Sequence, residues 1–349
     1  MAQADSISGR KGDILRLLVQ TYIHCGEPVG SKTLAALLEN KFSPATIRNA
    51  MAELEEAGYL THPHTSAGRV PSEKGFRYYV DALPESMGVD KAAERRIARV
   101  LDSSDTPEEL MSRTSFLLSE ISKNIGIVIA PPLATTQLKH IEFLDLGDGK
   151  ILVIFVSKSG LLQRKVVRLK DEYRQAELDR AGRLLVDRFS GRTLTEIRNE
   201  LLRMMEAERS IYDRMLKLLC MWNDTLDTES NAGLEAIYVQ GTVNILNHTE
   251  TVNIGPVREL FRMLEEKGRL LKILNECIAC GTSPGVRIAI GSELGIPSMR
   301  DFTFVTSTYI AKDSTAGFLG IIGPVRMEYD RVISAVEYLG RLVSQRINA

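Results

Sequence analysis

Over residues 11–23 the apolar positions Ile14, Leu15, Leu17, Leu18, Tyr22 and Ile23 recur at helical spacing, and Gly26 and Pro28 end the run. Ser31 then caps a short predicted helix that buries Leu34, Leu37 and Leu38, residues 40–42 turn the chain, and Ser43 with Pro44 starts another. In that third helix Ile47, Ala50, Met51 and Leu54 share one face, which leaves Ala45, Thr46, Arg48, Asn49 and Ala52 pointing elsewhere before Gly58 stops it. The segments 59–61 and 70–71 read as two short strands joined by the polar loop HPHTSAGR. A fourth helix follows, capped by Ser72, with Phe76, Tyr79, Val80 and Leu83 on one face, and Pro84 with ESMGVD forms a linker.

Beyond the linker come helices ending near Leu101 and starting at Thr106-Pro107, after which the period changes from 3.6 to 2. Residues 125–129, 138–146, 151–156 and 161–169 are predicted strands, with Gly147-Asp148-Gly149 and Lys158-Ser159-Gly160 as hairpin turns. Between 172 and 227 amphipathic helices replace them, one over 177–189 and a long one after the capping box Thr193-Leu194-Thr195-Glu196. The stripe of Ile197, Leu201, Met204, Met205, Ile211, Met215, Leu218, Leu219 and Trp222 is too wide to leave in water, so it needs a partner helix in cis or in trans. Strand patterns return at 236–246, 286–290, 302–310 and 316–322, with a helix over 256–275 and a last one over 328–347. The simplest arrangement is one antiparallel sheet interrupted by the helical stretch. The expectation is an α+β multidomain chain: a helical head with a two-stranded hairpin over 1–88, a sheet domain over 89–171 and 235–349, and an inserted helical domain over 172–234.

Composition narrows this little. A length of 349 residues favours more than one core, and 44% hydrophobic with 26% charged residues is ordinary for a globular chain. No apolar stretch approaches the ~20 residues of a membrane span, and the first residues lack the apolar block of a signal peptide, so a cytoplasmic protein is expected. Four cysteines are too few for a disulfide scaffold. The net charge of −1 exerts no global pull on nucleic acid, and residues 31–80 hold only six cations against five acids.

The local plan carries more. Two short helices and a two-stranded hairpin form a winged helix-turn-helix, whose second helix fits the major groove. Ser43, Thr46, Arg48 and Asn49 occupy its leading end: Arg48 can donate twice to guanine, Asn49 can pair with adenine, and Ser43 or Thr46 can hold a phosphate. In the wing, Thr65, Ser66 and Gly68 permit close approach to the backbone and Arg69 supplies a cation. A winged helix also serves as a protein-docking module, which is the competing reading of these residues.

Cys277 and Cys280 have redox or half-zinc spacing but no second pair, and His62 with His64 lacks a third ligand, so no metal or cofactor is expected. Gly147-Asp148-Gly149-Lys150 lacks the glycine spacing and the hydroxyl residue of a P-loop. No nucleophile, paired-carboxylate or metal-ligand set can be assembled, so no catalytic residue and no enzyme is expected.

At SPATIRNAMAELEEAGYL and PHTSAGRVPSEKGFRYYVD the sequence closely resembles HrcA, the bacterial heat-inducible transcription repressor family, and the resemblance runs in order through DLGDGKILVIFVSKSGLLQRKVV to GFLGIIGPVRMEYDRVISAVEYL. It implies a winged helix, a GAF-like domain and an inserted dimerising domain. It further implies a homodimer on the CIRCE inverted repeat ahead of chaperone operons, kept active by the GroEL chaperonin. By position in the motif, Ser43, Thr46, Arg48 and Asn49 carry over as recognition helix and Thr65, Ser66, Gly68 and Arg69 as wing. Leu201, Met204, Met205, Ile211, Met215, Leu218 and Trp222 are the expected dimer stripe. The alternative is a repressor of the same shape whose GAF-like domain senses a small metabolite.

Overall fold

The computed structural model describes residues 7, 9–63, 68–84, 88–132, 135–168, 173–205, 237–248, 254–266, 270, 285–311 and 315–348. In chain order the elements are α1 (Arg10–Cys25), α2 (Ser31–Leu37), α3 (Pro44–Glu56), β1 (Leu60–Thr61), β2 (Val70–Pro71), α4 (Glu73–Asp81), α5 (Lys91–Asp102), α6 (Pro107–Ser122) and β3 (Ile125–Ile129). There follow β4 (Leu138–Gly147), β5 (Lys150–Ser157), β6 (Leu162–Arg168), α7 (Gln175–Phe189), α8 (Leu194–Met205), β7 (Ile237–Gln240) and α9 (Ile254–Glu265). The last are β8 (Arg287–Ile290), β9 (Phe302–Ile310), β10 (Ala316–Pro324) and α10 (Tyr329–Ile347).

The head is built as its periodicity requires. Ile14, Leu15, Leu18, Leu34, Ile47 and Leu54 are almost wholly buried, and Gly26 ends α1 at φ 75° by donating its N–H to the Tyr22 carbonyl. Leu37, expected in the core, is 53% exposed: it closes α2 just before Glu39 and Asn40, which turn the chain in the left-handed region at φ 51° and 57°. β1 and β2 pair antiparallel, Leu60 opposite Pro71 and Thr61 opposite Val70.

The strands that the alternation predicts do form, but they sort into two antiparallel sheets and not one. The first has the order β7-β3-β10-β9-β8, packed on one face by α6 and α10 and on the other by α9. The second, β4-β5-β6, is a local meander closed by the predicted turns, with Gly147, Asp148 and Gly149 all at positive φ. Its Phe143, Val153 and Phe155 meet Leu185 and Phe189 of α7 and Ile197 and Leu201 of α8 in a separate core. Period-2 alternation identifies a strand without naming its neighbours, which explains the difference. Residues 138–168 and 175–205 therefore share one hydrophobic unit.

One strand end also differs. The strand predicted over 236–246 stops at Gln240, because Gly241 turns at φ 74° against Ser119, where a β-carbon would collide, and residues 242–248 coil into a 3-10 helix. The capping box at the start of α8 forms as expected: Thr193 N–H donates to Glu196 at 2.8 Å and Glu196 N–H to Thr193 Oγ1 at 3.2 Å.

The head does not hang free. One continuous core joins it to the α6/α10 face of the five-stranded sheet, with Phe76 of α4 tilted against Tyr329 of α10 at 6.2 Å between ring centroids. No described helix is long and apolar enough to cross a membrane.

Candidate nucleic-acid interface

α3 is anchored by its own first turn. Ser43 Oγ accepts the Thr46 N–H at 3.1 Å and lies 2.8 Å from Thr46 Oγ1, and Pro44 occupies the first helical position. The Ser43 oxygen, read from sequence as a phosphate holder, is thus engaged as the helix cap.

With Ile47, Ala50, Met51 and Leu54 buried, α3 presents Ala45, Arg48 and Asn49 to solvent. Neither Arg48 nor Asn49 has a hydrogen-bond or ion-pair partner among the described residues. Ala45 beside them keeps the helix surface low, so backbone and side chains can approach a groove floor together.

The ribbon is tied to this helix. Arg69 exchanges backbone hydrogen bonds with Val29, both at 2.9 Å, and its Nε donates to Glu55 Oε2 of α3 at 2.6 Å. Gly68 lies so close to the Val29 carbonyl that a β-carbon would overlap it, which makes this glycine a packing requirement. Thr65 and Ser66 lie outside the described residues, as does His64.

The charges of the head divide by location. Lys11 pairs with Glu53, Arg16 with Asp13, Arg69 with Glu55 and Arg77 with Glu293, while Lys74 donates to the Ala57 carbonyl at 3.0 Å and sits over the Tyr59 ring. Among the described residues Arg10, Lys32, Lys41 and Arg48 have no carboxylate partner. These four belong to the start of α1, to α2, to the turn and to α3. Of the four, the sequence reading assigned a DNA contact to Arg48 alone, because which cations a carboxylate neutralises depends on contacts between distant residues.

Of the expected dimer stripe, Leu201 is fully buried within its own chain, in the core beneath β4-β5-β6. Met204 and Met205 lie on α8, and nothing of their side chains is described; Ile211, Met215, Leu218 and Trp222 fall outside the described residues, as do Cys220, Cys277 and Cys280. Among the described residues no group of three metal-ligating side chains occurs. A cleft of about 460 Å³ opens where the linker meets α5, α6 and α10, lined by Asp90, Arg96, Glu120, Lys123, Asp330 and Arg331. Its charges balance, and Arg96 already pairs with Glu120.

Three comparisons place the chain among known proteins. A family profile described as the HrcA protein C terminal domain matches residues 108–333. A heat-inducible transcription repressor HrcA from Geobacter sulfurreducens is 38% identical over 97% of this chain and 98% of its own length. Those of Syntrophobacter fumaroxidans and Xanthomonas campestris are 35% and 36% identical over 97% and 98% of this chain, and 97% and 96% of their own. A crystal structure of a hypothetical protein shares the fold at a TM-score of 0.62, with 20% identity, over 98% of this chain and 99% of its own. The relatives are heat-inducible transcription repressors, and on this similarity the chain belongs to the HrcA family of heat-inducible transcription repressors.

Proposed function

We propose that this chain represses chaperone operons as a cytoplasmic homodimer bound to the CIRCE inverted repeat through a winged helix-turn-helix, with its active form maintained by the GroEL chaperonin. The observation that carries the DNA reading is the pair Arg48 and Asn49, exposed and without partners among the described residues, side by side on a helix whose opposite face is core and whose cap is satisfied. Arg48 donates in bidentate fashion to guanine and Asn49 pairs with adenine, its amide N–H donating to N7 and its carbonyl oxygen accepting from the N6 amino group, while Thr65, Ser66 and Gly68 bring the wing to the backbone. The chaperonin and the CIRCE sequence follow from the resemblance to the family.

A dimer is supported by the outer face of β4-β5-β6, where Leu144, Leu152, Ile154, Val156, Leu162 and Val166 lie, with Leu162 and Val166 about half exposed. The register sets Glu142, Ile154 and Arg164 side by side in one row. If two such faces meet about a two-fold axis parallel to β5, each Glu142 faces the partner subunit's Arg164 and each Ile154 its own copy. The inserted dimerising unit then begins near residue 137, ahead of the helices at 172–234, and the stripe from Met204 to Trp222 extends it. The GAF-like domain is the five-stranded sheet with α6, α9 and α10.

Nuclease protection on a CIRCE duplex tests this reading. Symmetric protection of both half-sites by one dimer is expected. Protection of a single half-site, or equal protection of a scrambled duplex, contradicts it.

A further inference from the structure

Phe42 stands one residue ahead of the Ser43 cap, half-buried, and two cations lean on its ring. The Arg10 guanidinium carbon is 5.6 Å and the Lys41 ammonium 5.8 Å from the ring centroid. Both cations are exposed, and among the described residues neither has a carboxylate partner. Two like charges sharing one ring repel, and the negative face of the aromatic offsets that only in part. Each cation keeps its remaining N–H donors free to turn toward an anion that comes against this end of the head.

The surroundings identify the anion. Lys11, next to Arg10 in sequence, is neutralised by Glu53, whereas Arg10 reaches across to the α2–α3 turn, where Lys41 also points. Ser43 Oγ accepts the Thr46 N–H as the cap and carries no charge, so the charge that neutralises a phosphate at the leading end of α3 comes from another group. We propose that Arg10 and Lys41, braced on Phe42, form a clamp for a phosphodiester of the DNA backbone beside the recognition helix. This rests on the reading of α3 as the groove-entering helix. The clamp sets the depth and register of α3 and reads no base: the phosphate oxygens accept from both cations, and Phe42 is a positioning residue that holds the two charges.

The test uses the full-length chain, a duplex carrying the inverted repeat and a scrambled duplex of equal length, with affinity measured across a salt series. In the variant Arg10→Gln/Lys41→Gln the slope of log affinity against log salt becomes shallower by about 0.9 for each phosphate no longer neutralised. Affinity for both duplexes falls together, and their ratio stays within about twofold, because phosphate contacts carry no sequence information. Both side chains are exposed, so the thermal midpoint should hold. The variant Arg10→Lys/Lys41→Arg keeps the charges and restores the slope, and Phe42→Leu weakens binding to both duplexes alike. A slope equal to that of the parent, or a collapse of the ratio between duplexes, overturns the clamp. If the parent shows no preference for the inverted repeat while the Gln variant still flattens the slope, the clamp stands and the operator reading fails.

Discussion

Arg77 Nε donates to Glu293 Oε1 at 2.8 Å, and its Nη2 reaches both the other oxygen of that carboxylate and the Ile288 carbonyl, the latter at 2.7 Å. Burial works against the guanidinium charge, and the hydrogen bonds and charge of Glu293 outweigh it, holding the Arg77 pKa above its ordinary value. Glu73 adds a second tie one turn earlier, accepting the Ser292 N–H at 3.2 Å and the Ser292 hydroxyl. The helix that leaves the wing is therefore fastened to the turn behind the edge strand β8, so the orientation of the head is set by the sheet domain.

Removing Glu293 leaves a part-buried cation with only Asp81, 3.4 Å from its Nη1, as carboxylate partner. Glu293→Ala should cost about 1–2 kcal/mol, discounted for the exposure of the pair. Arg77→Ala should cost a similar amount, and the double variant little more than either. A thermal-denaturation cycle checks this, and strict additivity would show that the two side chains are energetically independent.

Ser43→Ala removes the α3 cap and should lower stability by about 1 kcal/mol, whereas Ser43→Asp keeps the acceptor and the thermal midpoint. Because the serine oxygen is engaged by Thr46, the DNA affinity of folded Ser43→Ala should match the parent at every salt concentration. A loss of affinity for operator and scrambled duplex alike, at an unchanged salt slope, would show that the Ser43 hydroxyl donates to a phosphate as well.

The contrast with the sequence reading is physical. Local rules locate local features: the Ser-Pro start of α3, the Thr193/Glu196 box, the glycine turn between β4 and β5, and β3 and β9 to the residue. What escaped depends on chain segments far apart. β3 pairs with β10 and β7, both distant in sequence, and the alternation of residues 138–168 is the same in its own sheet as it would be in theirs. Arg69 looks like a free wing cation until Glu55, fourteen residues earlier, is seen to hold it. Arg10 and Phe42 show no relation until α1 packs beside the α2–α3 turn.

Arg48→Ala should lose about 1–3 kcal/mol of operator binding with relaxed preference at one base position. Asn49→Ala should do the same at a neighbouring position. Competition with single-base variants of the operator measures this, and a loss uniform across sequences would assign the side chain to a phosphate.

Ile154→Glu places a charge in the middle of the outer face of β4-β5-β6 and should shift the protein toward monomer in sedimentation. Glu142→Arg should weaken the dimer and Glu142→Arg/Arg164→Glu should restore it, since the swap regenerates the facing pair. A dimer untouched by Ile154→Glu but dissociated by Leu218→Glu would move the interface to the helical stripe.

Repression of this kind is decided by one titration: binding to a CIRCE duplex and to a scrambled one, across salt, with and without GroEL and ATP. Tight binding to the inverted repeat alone is expected, weakening steeply with salt and strengthening when the chaperonin is present. A correctly folded dimer that treats both duplexes alike, at every salt concentration and with chaperonin added, would contradict it.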